Sequence, residues 1–240
     1  MDKVFQDFIQ NIYKTRKVSG PSGIETDLHS EIDPQEGQFL YNIINNDPTV
    51  LKTLEVGCAY GLASLHICAA LKGRQGALHT IVDPNQTGWG SVGVNNLKRC
   101  GVDYFKLVEE KSEFALPRLL ENHEGTYDFI FVDGWHTFDH TLLDCFYATR
   151  MLRVGGYLAV DDVWNFPGIK RVVGFVGSYP CYQRVGTVNE TNGDVRMIGF
   201  KKIANDERRW DWHDETFASN DPLKQKDNLK AFRIVESAGK

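Results

Sequence analysis

The sequence predicts an α/β fold: a doubly wound, mostly parallel sheet that ends in an antiparallel hairpin and carries helices on both faces. Three observations support this prediction. Short apolar runs alternate with segments of helical spacing, which is typical of parallel strands joined by crossover helices. The two last apolar stretches flank Asn192-Gly193, a turn signal for a hairpin. The composition, 42% hydrophobic and 25% charged, is that of an ordinary globular domain.

The elements follow one another without an internal repeat. The first residues predict an amphipathic helix whose apolar residues fall on one face, namely Val4, Phe5, Phe8, Ile9, Ile12 and Tyr13. A loop rich in Gly, Pro, Ser and acidic residues is expected over 19–37, and helical spacing resumes over 38–44 behind the start signals Pro34 and Glu36. Further on, strands are predicted at 53–56, 79–82, 105–108, 127–132 and 157–160, helices at 63–71, 92–100, 113–120 and 141–152, and hairpin strands at 182–188 and 195–201.

The composition also limits the class of protein. We expect an N-terminal helical extension and lid over 1–45, a catalytic body over 46–205 and a polar tail over 206–240. A net charge of -5 argues against a nucleic-acid or acidic-membrane surface, and no stretch approaches the roughly 20 apolar residues of a membrane span. Five cysteines without a CxxC pair favour a reducing, cytoplasmic setting.

Residues that suit ligand binding follow the predicted strands, and in an open α/β sheet ligands bind at the carboxyl ends of the strands. The segment 54–64 reads LEVGCAYGLAS. Gly57 and Gly61 permit a tight turn that brings the next helix close to a bound molecule, and Glu55 suits a cationic sulfonium better than a pyrophosphate. The GxGxxG of dinucleotide-binding folds is missing. A strand–turn–helix with two structural glycines explains this segment equally well.

The next predicted strand is followed by Asp83. An acid at this position accepts hydrogen bonds from both hydroxyls of a ribose, although Asp83 also suits a turn that begins before Pro84. Because the glycine turn and this acid follow consecutive strands, together they predict a donor site more strongly than either does alone.

Three carboxylates follow two further strands. Asp133 follows the 127–132 strand, and Asp161 and Asp162 follow the 157–160 strand. Carboxylate oxygens are the ligands that a hard divalent cation such as magnesium selects. Unpaired acids at one edge of a sheet would repel one another, so we predict a cation site; the alternative is that Asp161 or Asp162 caps the following segment.

These motifs resemble those of the cation-dependent O-methyltransferases of the catechol and caffeoyl-CoA type, and of their relatives that act on sugars and macrolides. The similarity runs from EIDPQEGQFL, where Glu36-Gly37-Gln38 looks like the family's segment before the first strand, to YLAVDDV, about half of the chain. It implies a class I, Rossmann-like methyltransferase that takes its methyl group from S-adenosylmethionine and passes it to a hydroxyl of a small-molecule acceptor.

The resemblance also implies roles for individual residues. Asp133, Asp161 and Asp162 match the family's ligands to magnesium or another divalent cation, although the last is commonly asparagine. His136 stands where the family has a catalytic lysine, and we predict that it is the general base, with Asp133 beside it. The implied contacts to S-adenosylmethionine are Glu55, Gly57, Ala59, Tyr60, Gly61, Asp83 on the ribose, Ser112 near the adenine, and Asp133.

Other interpretations stay open. A methyltransferase without a metal would use His136 and the acids alone, and a nucleotide-binding module would lack catalysis altogether. An NAD-dependent oxidoreductase is disfavoured by the missing GxGxxG. Trp135, Trp164 and Phe166 suit either an acceptor wall or ordinary packing. The sequence does not name the acceptor, and it leaves a homodimer open.

Overall fold

The computed structural model describes residues 1–190, 192–210 and 212, so most of the predicted tail, including His213, lies outside the described residues. Within these residues the elements run, in chain order, α1 (Lys3–Thr15), β1 (Lys17–Ser19), β2 (Glu25–Asp27), α2 (Pro34–Asn45), β3 (Lys52–Val56), α3 (Leu62–Leu71), β4 (Leu78–Val82), α4 (Val92–Arg99), β5 (Phe105–Val108), α5 (Ser112–His123), β6 (Tyr127–Val132), α6 (Phe138–Met151), β7 (Leu152–Val160), α7 (Pro167–Val176), β8 (Tyr182–Asn189) and β9 (Val195–Lys202).

The large sheet confirms the predicted fold class. Its seven strands lie in the order β5-β4-β3-β6-β7-β9-β8. Strands β3 to β7 pair in parallel, whereas β9 runs antiparallel to β7 and β8 antiparallel to β9. The chain proceeds from β3 outward to β4 and β5, and then returns to place β6 on the other side of β3. This reversal of strand order is the point at which α/β sheets bind their ligands.

The register of the strands places the predicted site residues side by side. Val56 of β3 pairs with Val82 of β4 and with Val132 of β6, and Val132 pairs in turn with Val160 of β7. Each of these valines is the last residue of its strand. The residues that follow therefore leave one edge of the sheet at the same level.

Helices cover both faces of the sheet with two separate apolar cores. One core contains residues of helices α1, α2, α3 and α4, such as Phe5, Leu40 and Leu65. The other contains residues of helices α5, α6 and α7, such as Leu116 and Val172. Every residue of the central strand β6 is buried. Its side chains alternate between the two cores, as expected for a strand covered on both faces.

The N-terminal extension packs against the body of the protein. The apolar face predicted for α1 is confirmed, because Phe5, Ile9 and Ile12 are buried in the first core, where Leu40 and Ile44 of α2 join them. Within the described part of the chain, no helix is both long enough and apolar enough to cross a membrane. All five cysteines are free thiols and are buried.

Three local predictions were wrong, and one helix was not predicted. Residues 19–37 are not one loop, because β1 and β2 form a small antiparallel pair there. Helix α2 begins earlier, at Pro34, behind a capping box formed by Asp33 and Glu36. Strand β7 begins at Leu152, earlier than the strand predicted at 157–160, and includes Gly155 and Gly156. Helix α7 was not predicted, because its two glycines weaken the helical pattern.

Candidate active site

The loop between β3 and α3 requires its glycines. Gly57 and Gly61 have φ values of 87° and 78°, and Ala59 between them also has a positive φ of 45°. A Cβ atom at Gly57 would overlap the carbonyl oxygen of Asp133, and one at Gly61 would lie 2.8 Å from the Cα of Gly93. The glycine-rich loop is therefore in direct contact with the segment that follows β6, where the predicted catalytic residues begin.

Asp83 holds the backbone of this loop through hydrogen bonds. Its Oδ2 accepts hydrogen bonds from the backbone N–H groups of Cys58 and Ala59, both at 3.0 Å, and from the side chain of Gln86. Its Oδ1 accepts one from the N–H of Asn85 at 2.7 Å. The residue is 3% exposed. The ribose contact stays a prediction, and the geometry gives Asp83 a loop-organising role that the sequence did not suggest.

Glu55 is directed toward the interior and is fully buried. Its Oε2 accepts a hydrogen bond from the Ser64 hydroxyl and lies 2.9 Å from Nε2 of His79. The other ring nitrogen of His79 lies 2.8 Å from the Thr53 hydroxyl. Glu55 therefore anchors a buried polar network behind the glycine-rich loop. Sequence reasoning missed Ser64 and His79, because two separate elements bring them to Glu55.

The structure brings Asp133, His136 and Asp162 together. The Nε2 atom of His136 lies 3.5 Å from Oδ1 of Asp133 and 3.1 Å from Oδ2 of Asp162. One ligand atom from each of these residues lies within 4.8 Å of the other two, close enough to share one metal ion. Asp162 has a φ of 58°, a strained value for a residue other than glycine. Hereafter these three residues are called the acid–histidine cluster.

Asp161, the third predicted cation ligand, is not part of the acid–histidine cluster. It is buried, and its Oδ1 accepts a hydrogen bond from the backbone N–H of Asp162 at 2.8 Å. Burial, and after it the nearby charge of Asp133, raises the pKa of its carboxyl. The structure therefore groups two of the three predicted ligands with His136 and places Asp161 beside them.

Burial and close contact shift the pKa values of all three residues of the cluster. Burial, with the charge of Asp162, raises the pKa of Asp133 to about 7, against the effect of the hydrogen bond to His136. Because 24% of the Asp133 side chain is exposed, solvent moderates this shift. The hydrogen bond with Asp133 raises the pKa of His136 above its usual value. Burial also raises the pKa of Asp162. Crowded carboxylates of this kind bind a proton or a cation.

Ser112, the residue predicted near the adenine, is the first residue of α5. Burial raises the pKa of the Asp144 carboxyl in α6 to about 7, and the nearby Ser112 lowers it in part; neither carboxylate oxygen of Asp144 has a hydrogen-bond partner among the described residues. A Cβ atom at Gly134 would lie 3.3 Å from Oδ2 of Asp144. The start of α5 and the segment after β6 therefore meet at this buried acid, which sequence reasoning missed.

Aromatic side chains surround the acid–histidine cluster. The ring of Phe166 packs against that of His136, with centroids 4.6 Å apart, and the nearby Trp135 and Trp164 are 69% and 41% exposed. The guanidinium of Arg196 lies 5.5 Å from the Trp164 ring. These exposed rings are available to contact an acceptor, as the sequence suggested.

Arg196, which lies beside Trp164, is already paired with acidic side chains. It pairs with Glu36, a buried residue of the α2 capping box, at 2.9 Å, and also with Glu190. The charge of Arg196 lowers the pKa of Asp162, whereas that of Glu36 raises it. Sequence reasoning missed this ion pair, because its partners lie 160 positions apart.

Residues 54–163 match a family model described as a methyltransferase domain. This segment begins within β3 and ends just after Asp162. It therefore contains the glycine-rich loop, Asp83 and the acid–histidine cluster. No curated protein matches the chain significantly.

Several solved structures share the fold. An O-methyltransferase from Streptomyces achromogenes, in complex with SAM, is 16% identical, with a TM-score of 0.65 over 85% of this chain and 91% of its own. An O-methyltransferase from Bacillus cereus, in complex with SAH, is 16% identical, with a TM-score of 0.64 over 84% and 92%. A SAH-bound methyltransferase from Podospora anserina, also 16% identical, has a TM-score of 0.63 over 85% and 89%.

The chain therefore shares the Rossmann-like fold of these SAM- and SAH-bound methyltransferases. The part of the chain that is similar to a methyltransferase domain, residues 54–163, contains the glycine-rich loop and the carboxylates that follow the strands.

Proposed function

We propose that the enzyme transfers the methyl group of S-adenosylmethionine to a hydroxyl oxygen of a small molecule. The observation that carries this proposal is the acid–histidine cluster, which lies directly beside the glycine-rich loop. Gly57 packs against the backbone of Asp133, so a donor above the loop would have its reactive sulfonium close to His136. The two O-methyltransferases that share the fold support an oxygen acceptor.

The donor would lie across the carboxyl ends of β3, β4 and β6. The backbone of residues 57–61, which Asp83 holds in shape, would contact its methionine part. The carboxylate of Asp133 would face the cationic sulfonium and the amino group, and Ser112 would lie toward the adenine. The negative charge of the cluster suits this cationic ligand and would become less favourable once the neutral product forms.

His136 is the best-placed base for the acceptor. In the reaction the acceptor oxygen forms a bond to the methyl carbon, the carbon–sulfur bond breaks, and the electron pair of that bond stays on sulfur. The hydroxyl proton passes to the imidazole of His136, between the carboxylates of Asp133 and Asp162 that stabilise the resulting positive charge. Holding donor and acceptor in line would contribute several kcal/mol.

The residues present also fit a divalent cation. Asp133 and Asp162 provide closely spaced carboxylates whose pKa values are raised mainly by burial, and Asp161 is buried beside them. These acids would hold the ion. When bound, such an ion lowers the pKa of a coordinated hydroxyl and helps to orient it.

The 3.1 Å separation between His136 and Asp162 favours a second candidate, a methyltransferase without a metal. In that case the two carboxylates orient the imidazole and stabilise its protonated form, as an acid does in other histidine-based sites. The two candidates differ in their response to chelation, so one measurement separates them.

The surroundings of the cluster indicate which acceptors to test. Trp135, Trp164 and Phe166 offer flat apolar surfaces, which suit a phenol ring or the apolar face of a sugar or glycoside. Arg196, the cation beside Trp164, is paired with Glu36 and Glu190, so a strongly anionic acceptor is disfavoured. The free, buried cysteines fit a reducing compartment, and we propose the cytoplasm.

The proposal is tested by measuring S-adenosylhomocysteine formation from S-adenosylmethionine with phenols, sugars and glycosides, each with magnesium and with EDTA. We expect turnover with at least one hydroxyl acceptor, and its loss in Asp133→Asn. The matched control is Asp139→Asn, which changes an exposed acid near the start of α6. Methylation only of nitrogen or carbon acceptors, or equal loss in both variants, would contradict the proposal.

A further inference from the structure

The N-terminal segment 17–32, called here the strap, crosses the edge of the donor site. It is anchored in the first core by Val18, Leu28 and Ile32. At its start, the carbonyl oxygen of Ser19 accepts a hydrogen bond from the side chain of Asn95 in α4 at 3.0 Å. A Cβ atom at Gly20 would overlap the carbonyl oxygen of Gly90. The strap is therefore packed closely against the segment between β4 and α4.

One side chain of the strap contacts the glycine-rich loop through a hydrogen bond. The Nε2 atom of His29 lies 2.8 Å from the hydroxyl of Tyr60. The His29 ring meets the Tyr60 ring edge-on at 5.1 Å, and both rings contact Trp89, with centroids 5.6 and 5.1 Å away. These three aromatic residues join the strap, the glycine-rich loop and the segment after β4.

Tyr60 links this aromatic group to the backbone that would contact the donor. It lies between Ala59 and Gly61, both of which have positive φ, and its carbonyl oxygen accepts a hydrogen bond from Asn96 at 3.0 Å. The residue is only 3% exposed. Without His29, its hydroxyl would have to find another partner or lose hydrogen bonding in a largely buried position, which is unfavourable.

We propose that His29 is a positioning residue for the methyl donor. It fastens the strap over Tyr60, holds residues 59–61 in the conformation that contacts the methionine part of the donor, and slows donor release. This inference rests on the proposed function. His29 lies outside the segment 54–163 that matches the methyltransferase domain, so the strap supplies a part of the donor site that this domain does not contain.

The hydrogen bond does not depend on one protonation state of His29. A neutral ring accepts from or donates to the tyrosine hydroxyl, and a protonated ring donates to it. The charged groups near the two rings are Asp27 and Glu31. The pKa of Asp27 is lowered mainly by its contact with Lys17 and least by the charge of His29. The pKa of Tyr60 is raised by burial first and then by the charges of Asp27 and Glu31. We therefore expect the strap to stay fastened across the neutral range.

The test measures the dissociation rate and affinity of S-adenosylhomocysteine with the full-length protein. His29→Ala should release it about tenfold faster, the effect of losing a hydrogen bond of ordinary strength. Tyr60→Phe should behave in the same way. His29→Gln keeps a side chain that hydrogen-bonds the tyrosine hydroxyl and should stay within about threefold of wild type. Glu25→Ala, which changes an exposed residue of the strap, is the matched control and should have no effect.

The double variant distinguishes positioning from general loosening. If the two residues act as one unit, His29→Ala combined with Tyr60→Phe releases S-adenosylhomocysteine no faster than either single variant. Multiplied effects, or a His29→Ala rate within twofold of wild type, would overturn the role of His29 while the proposed function stands. Wild-type protein that binds no S-adenosylhomocysteine would overturn the proposed function and this inference together.

Discussion

Replacing Asp83 by asparagine separates two roles that this residue could have. The carboxylate accepts four hydrogen bonds within the protein, two of them from backbone N–H groups of the glycine-rich loop. An amide of the same shape has only one acceptor oxygen. If that oxygen faces the loop, the amide nitrogen must face the N–H of Asn85, a contact between two hydrogen-bond donors. The structure therefore predicts that Asp83→Asn destabilises the protein even when S-adenosylmethionine is absent.

The size of the effect follows from these contacts. One hydrogen bond to a charged group, worth about 1.5–3 kcal/mol, is lost outright, and the remaining bonds weaken because they no longer involve a charge. We expect the free energy of unfolding to fall by about 2–4 kcal/mol, measured by urea denaturation of the donor-free protein. Affinity for S-adenosylmethionine should fall as well, because the loop loses its shape.

The control for this measurement is Asp103→Asn, which changes an exposed acid before β5 and should alter stability by less than about 0.5 kcal/mol. If Asp83→Asn were as stable as wild type but bound the donor weakly, the carboxylate would act on the ribose and the loop-organising role would be wrong. A variant unchanged in both measurements would contradict both roles.

Three further predictions concern the cluster and the core. His136→Ala should lower kcat by about 10²–10⁴ while the affinity for S-adenosylmethionine stays within twofold of wild type. Because the pKa of His136 is raised, the wild-type rate should rise with pH through a group above 6.5. The same pH profile in the variant would exclude His136 as the base. Asp162→Asn should weaken Mn²⁺ binding, measured by calorimetry, at least about tenfold, and full activity after exhaustive EDTA treatment would remove the metal from the proposal. Burial lowers the pKa of His66 to about 4. Its contribution to stability is therefore complete above about pH 6.5 and is lost as the pH falls toward 4, by about 3 kcal/mol in total. His66→Leu should flatten this part of the pH dependence of stability, measured by urea denaturation, and an equally steep dependence in the variant would show that His66 is not its source.

Much of the candidate site could be predicted from the sequence, because its residues are set by local rules. A strand that ends in a glycine-rich turn is visible as a short apolar run followed by Gly57 and Gly61, and both glycines indeed have positive φ. Parallel pairing then places Asp83 and Asp133 at the same level of one sheet edge. The fold class followed from the same alternation of apolar runs and helical spacing.

The sequence could not determine which side chains would meet once the chain had folded. Asp162, and not Asp161, joins Asp133 and His136 in the acid–histidine cluster, and Asp162 has a positive φ that no local pattern indicated. Glu55 is directed inward by Ser64 and His79, which come from different elements. The ion pair between Glu36 and Arg196 joins helix α2 to strand β9, which lie far apart in the sequence.

The sequence by itself therefore determined the fold class, the glycine-rich turn and the carboxylates that follow the strands, because strand periodicity and backbone conformation depend on residues close together in the chain. Only the tertiary structure decided the partners of those carboxylates and the position of the strap over Tyr60. Packing brings His29 to Tyr60 from 31 positions away, and contacts over such a distance depend on how helices and strands are arranged in space, which the local pattern of residues does not encode.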